Sequence, residues 1–187
     1  AVQRSTRRFE IPGMIAVSIL FLVFGYTGGE VVRFEGIIMW LVFIGYLGYL
    51  FWIAKNNKDE EGDEEDKKWS LPVQLIAIVG GIAAIVLGSD LAVDGATAIA
   101  KAFGMSDRII GLTIVAFGTS LPELVTSVTA ARRGKADIAI GNIVGSNIFN
   151  ILFVAGTTAL ITPVVFEAKF VVDSIIAIVA AVILLVS

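Results

Sequence analysis

Gly118-Thr119-Ser120-Leu121-Pro122-Glu123 sets a carboxylate, two hydroxyls and a proline inside a stretch otherwise apolar enough to cross a bilayer. A short basic connection later comes Gly141-Asn142-Ile143-Val144-Gly145-Ser146-Asn147-Ile148-Phe149-Asn150. A charged side chain at the centre of a membrane helix costs roughly 2.5–3.5 kcal/mol on insertion scales, so an intramembrane Glu marks a site until shown otherwise. Carboxylate, hydroxyl and carbonyl oxygens together describe a hard-cation site.

Spacing assigns the roles. Thr119 and Glu123 are four residues apart, hence on one helix face, and Ser146 and Asn150 repeat that relation on the next span. A short loop makes the two spans antiparallel, so the pairs are expected to face each other near the bilayer midplane. Pro122 has no N–H to donate, which leaves carbonyls before it, at Gly118 and Ala116, available to a cation. Ser120 and Asn147 lie one residue off the main faces and are expected as secondary ligands. The candidate metal ligands are Ala116, Thr119, Ser120, Glu123, Ser146, Asn147 and Asn150. A lone Ser or Asn often serves only as a hydrogen bond between helices. Glu123 beside Pro122, matched by a second polar helix, favours ion binding over that bland role. Asp90 and Asp94, also four apart, fit an aqueous entry path and a structural role equally well.

Elements must position these residues. The 187-residue chain is 57% hydrophobic and 17% charged, against about 25% charged for a soluble domain. The class is therefore all-α polytopic membrane protein. With neither Cys nor His, thiol, disulfide, ordinary zinc and histidine chemistry are excluded. The net charge of −3 gives no ground for nucleic acid as a partner. Six apolar runs are long enough to span, over 12–27, 35–54, 71–102, 107–131, 137–161 and 164–187. The third exceeds the ~20 residues of a perpendicular span and is expected to tilt or to run along the interface.

With six spans, the N-terminus and the loops at 55–70 and 132–136 share one side. That side holds ten of the fourteen Lys and Arg, leaving Arg33, Lys101, Arg108 and Lys169 opposite. The positive-inside rule puts the N-terminus and the 55–70 loop in the cytoplasm. Asp59–Asp66 lacks the ligand spacing of an EF-hand and reads as a solvated acidic linker. Three regions result: 1–54 with two spans, the linker 55–70, and 71–187 with the long helix and the paired polar helices. No initiator Met precedes the opening basic run, and the last residues are still apolar, so a piece of a longer gene product is expected.

The paired Gly118–Glu123 and Gly141–Asn147 elements resemble the signature of the cation/calcium antiporter superfamily, most closely its prokaryotic sodium/calcium exchangers. Gly88–Gly95 is similar to the long helix preceding the second alpha-repeat of that family. The resemblance implies a ten-helix fold of two inverted halves, of which this chain would cover helices four to nine in a prokaryotic cell membrane. It implies exchange of sodium for calcium by alternating access, with Glu123 as the central shared carboxylate and Thr119, Ser120 and Ser146 supplying oxygens. No cofactor is implied; sodium and calcium are the cargo. Relatives carry Asn or Asp at the place of Asn150, and Asn lowers the anionic charge of this half-site.

No second Gly-Thr-Ser-x-Pro-Glu occurs in the chain. One Glu cannot neutralise a calcium ion, which takes six to eight oxygens, so a complete site needs the missing N-terminal half or another chain. The charge bias disfavours a second copy inserted the other way up. A proton/calcium antiporter is the alternative within transport, and a non-transporting membrane scaffold the alternative outside it. A Ser and a Glu without His or Lys make a poor hydrolase, so no enzyme is expected.

Overall fold

A computed structural model describes residues 6–56 and 70–186. The acidic segment Asp59–Asp66 and Arg4, on which the linker and part of the charge bias rest, lie outside the described residues. Within them are six helical spans long and apolar enough to cross a membrane. The fourth and fifth of them change helical register or break along their length.

The first span is longer than its apolar core. A π-helical turn, Thr6–Glu10, runs directly into α1 (Ile11–Gly28), making 21 residues from Arg8 to Gly28 instead of the expected 12–27. Pro12 stands in the first turn of α1 but does not delimit the span, because the helical turn Thr6–Glu10 precedes it. α1 stops at Gly29, whose φ of 70° suits glycine and whose N–H returns to the Gly25 carbonyl at 3.0 Å.

Glu30–Val31 (β1) then pairs antiparallel with Val164–Val165 (β2), Glu30 opposite Val165. This corrects the sixth span, expected from residue 164. The chain is extended at Thr162 (φ −146°, ψ 144°) because Pro163 disfavours helix in the residue before it. The membrane helix starts only with α9 (Ala168–Val186). Between β1 and that point lie α2 (Arg33–Asn56) and α3 (Leu71–Ala102). At ~1.5 Å per residue, the 32 residues of α3 would exceed a hydrocarbon core of about 30 Å. Gly104 (φ 79°) ends α3, with Met105 N–H bonded to the Ala100 carbonyl and Gly104 N–H to that of Lys101, a Schellman arrangement.

The fourth span comprises α4 (Asp107–Ile110), a π-helical segment Gly111–Val115, α5 (Ala116–Gly118) and α6 (Leu121–Arg132). The fifth comprises α7 (Ala136–Phe149), a π-helical segment Asn150–Ala155 and α8 (Gly156–Ile161).

Two compact units emerge, one of 1–62 with 135–187 and one of 63–134. In the first, α1 packs on α9 and α7, and α2 on α8 and the π segment before it. Ile11, Met14, Met39, Val144, Ile148 and Leu152 form its core. Small residues bring α2 and α8 close, since a Cβ at Gly36 would stand 2.9 Å from the Gly156 carbonyl oxygen. Beside them Trp40 Nε1 donates to Thr157 Oγ1 at 3.1 Å. In the second unit, α3 packs on the broken fourth span through the face bearing Ser89, Val93 and Ala100. Elsewhere α3 exposes Ile76, Val79, Ile82, Leu87 and Leu91, an apolar surface suited to lipid or to further protein.

Candidate functional site

Pro122 organises the first half of the site. It denies the Gly118 carbonyl the i+4 donor of a regular helix, and the chain turns at Thr119–Ser120 before restarting as α6. Ser120 (φ −97°, ψ 0°) sends its N–H to the Phe117 carbonyl at 3.1 Å, three residues back rather than four. The Ala116 carbonyl accepts instead the Thr119 hydroxyl, at 2.9 Å. Thr119 and Glu123 therefore sit on opposite sides of a break rather than on one continuous helix face. Ala116, Thr119, Ser120 and Glu123 cluster about that break by chain proximity, Thr119 and Ser120 exposed and Glu123 half-buried.

Glu123 falls in the first turn of α6, and its Oε2 is fully buried. The unsatisfied N–H groups and positive dipole end of a helix favour an anion there, by about 0.3–1 kcal/mol in exposed cases. The break thus both frees carbonyl oxygen and helps to hold a carboxylate inside an apolar layer. Pro122's own carbonyl takes the Thr126 hydroxyl at 2.8 Å.

The second group lies on α7 and its continuation. Ser146 Oγ and Asn147 Nδ2 both donate to the Ile143 carbonyl, at 3.1 and 2.8 Å. With its amide nitrogen so engaged, Asn147 has Oδ1 as its acceptor. Asn150 opens the π-helical segment, its N–H directed to the Ser146 and Asn147 carbonyls. Asn147 and Asn150 are exposed and Ser146 half-buried. Each group is thus assembled within its own unit. π-Helical turns recur at functional sites, and both site-bearing spans contain one. No residue pattern in the sequence announced them.

Asp90 and Asp94 are exposed on α3, off the face that carries Ser89, Val93 and Ala100 to the broken span. One residue escaped the sequence reading. Asp173 on α9 lines a cavity of ≈390 Å3 together with Ser174, Ser18 and Asn147. A carboxylate within an apolar span was the signal that could have identified it.

The sodium/calcium exchanger protein family matches residues 73–187. Inner membrane protein YrbG of Escherichia coli is 37% identical over 172 residues, covering 87% of this chain and 52% of its own. Sodium/calcium exchanger MaX1 of Methanosarcina acetivorans is 44% identical over 93 residues, 50% of this chain and 27% of its own. The structure of the sodium/calcium exchanger from Methanococcus jannaschii superposes with a TM-score of 0.80 at 30% identity, over 99% of this chain and 57% of that one. The chain spans about half the length of the curated relatives it matches over most of its own. It is an integral, multi-pass membrane protein. Because the family match runs through both the helix broken at Pro122 and the helix bearing Ser146 and Asn150, this chain belongs to the sodium/calcium exchanger protein family.

Proposed function

We propose that this chain carries half of the ion-binding machinery of an antiporter that exchanges sodium for calcium by alternating access. The observation that carries the reading is Glu123, a carboxylate with a buried oxygen at a helix start created by Pro122 within a membrane span. Glu123 supplies the negative charge. Thr119 and Ser120 supply hydroxyl oxygens, and Ala116 and Gly118 carbonyl oxygens. Ser146, Asn147 and Asn150 contribute neutral oxygens from the second motif. Neutral oxygens beside a single carboxylate suit sodium, which needs coordination but little charge, and they have no use in a pathway that only moves protons.

Among the described residues no three acidic side chains converge. Calcium, with six to eight oxygen ligands, needs more charge and more donors than these motifs hold. The remaining donors come from the rest of a longer exchanger, consistent with inverted-repeat transporters that bind substrate where repeats meet. The 55–70 segment serves as the cytoplasmic connection between the two halves.

Sodium-gradient-driven uptake of radiolabelled calcium into liposomes holding the longer exchanger that supplies the remaining donors tests the reading, with Glu123→Gln alongside. Uptake driven by sodium and lost in the variant is the expected result. Uptake driven by a pH gradient and indifferent to sodium would assign proton coupling instead, and normal uptake in Glu123→Gln would remove Glu123 from the mechanism.

A further inference from the structure

The break at Pro122 has a neighbour that its motif does not include. Gly118 is buried, and a Cβ built on it would overlap Val93 Cγ2 on α3, with Val93 Cβ 3.3 Å and Cγ1 3.5 Å away. Elsewhere in the same unit, Gly80, Gly81, Gly88, Gly95 and Gly111 would each meet nothing within 4 Å. The close approach is therefore particular to the glycine that begins the ion-site motif. Val93 cannot easily swing aside, because a valine within a helix keeps one χ1 rotamer about 90% of the time. Gly118 is also the residue whose carbonyl Pro122 deprives of its donor, and it directly precedes Thr119.

We propose that Val93 is a positioning residue for ion binding. Its Cγ2, seated against the bare Cα of Gly118, sets how closely α3 approaches the break and so fixes the Gly118 carbonyl and the Thr119 hydroxyl relative to Glu123. The proposal rests on the reading of Ala116–Glu123 as ion ligands. Val93 itself offers no oxygen and acts only through Gly118. Val93 and Gly118 both border a cavity of ≈480 Å3 between α3 and the broken span, so the break has room to shift once the contact is lost.

The test measures sodium and calcium half-saturation and maximal rate in proteoliposomes of the longer exchanger for Gly118→Ala, Val93→Ala, the double variant and Glu123→Gln. Gly118→Ala is expected to raise both half-saturation values about tenfold, equivalent to roughly 1.4 kcal/mol. Val93→Ala removes the overlapping atoms, leaving a Cβ contact near 3.3 Å, so the double variant is expected to recover to within about threefold of the parent. Val93→Ala alone should raise the half-saturation values with little change in maximal rate. A merely structural contact would lower the melting temperature of these variants and leave their half-saturation values unchanged. Parent-like ion affinities in Val93→Ala would overturn the proposal even if Gly118→Ala fails to fold, as would a double variant no better than Gly118→Ala. A Glu123→Gln without transport beside a normal Gly118→Ala would sink only this proposal. A normal Glu123→Gln would remove the ion-site reading and the positioning role with it.

Discussion

Thr119 donates its hydroxyl to the Ala116 carbonyl across 2.9 Å, three residues back and at the edge of the helix break. The donor proton is thereby committed to the backbone, and the lone pairs of Thr119 Oγ1 are what remain for a ligand. A hydroxyl held in this way is an oriented neutral oxygen, the kind of group that a sodium ion uses.

Thr119→Val should therefore raise the sodium concentration for half-maximal calcium uptake by roughly three- to tenfold, on the scale of one net hydrogen bond. Thr119→Ser, which keeps the oxygen, should stay near the parent. Equal sodium dependence in the Val and Ser variants would dismiss Thr119 as a ligand.

Glu123→Gln is expected to cut sodium-driven calcium flux at least a hundredfold while the protein still expresses and purifies as the parent does. Removing a carboxylate from an apolar layer also removes its desolvation cost, so no loss of thermal stability is expected. A variant that purifies only as aggregate would point to a structural role for the carboxylate.

Asn150→Asp adds a carboxylate at the start of the π-helical segment Asn150–Ala155. Calcium half-saturation should fall about tenfold, and the gain should vanish at a pH low enough to protonate the new group. Proteoliposome flux measured across a pH series checks both. A variant with weaker calcium uptake at every pH would place position 150 away from the ion.

Gly36→Ala tests the packing of α2 on α8. Its Cβ would stand 2.9 Å from the Gly156 carbonyl oxygen and 3.1 Å from Ala159 Cβ, and both lie on a helix that cannot yield locally. Overpacking of this kind costs about 1–3 kcal/mol. A lower melting temperature in detergent is expected, and an unchanged one would mean that the helices can separate without penalty.

Much of this protein is legible in its amino-acid sequence, and the reason is local. Whether a run of side chains can lie in a bilayer depends on its own composition, so all six spans can be read there, four of them with bounds within two residues at each end. The effect of Pro122 is local too, since a proline removes its own donor whatever surrounds it. Glu123, Thr119, Ser146 and Asn150 are recognisable because polar side chains are conspicuous in an apolar run.

What the sequence does not disclose depends on residues far apart in the chain. Helix α1 passes through Pro12, whereas α9 waits until Ala168 because Val164–Val165 pairs with Glu30–Val31, more than a hundred residues earlier. The π-helical turns at Gly111–Val115 and Asn150–Ala155 are small shifts of hydrogen-bond register that propensity does not encode. The seating of Val93 on Gly118 belongs to two helices, and no periodicity within either one contains it. Composition and spacing determined which residues enter the membrane and which of them are candidates to hold a cation. Tertiary packing alone decided how closely the helices approach, because that distance is set by the side chains, or their absence, on two surfaces at once.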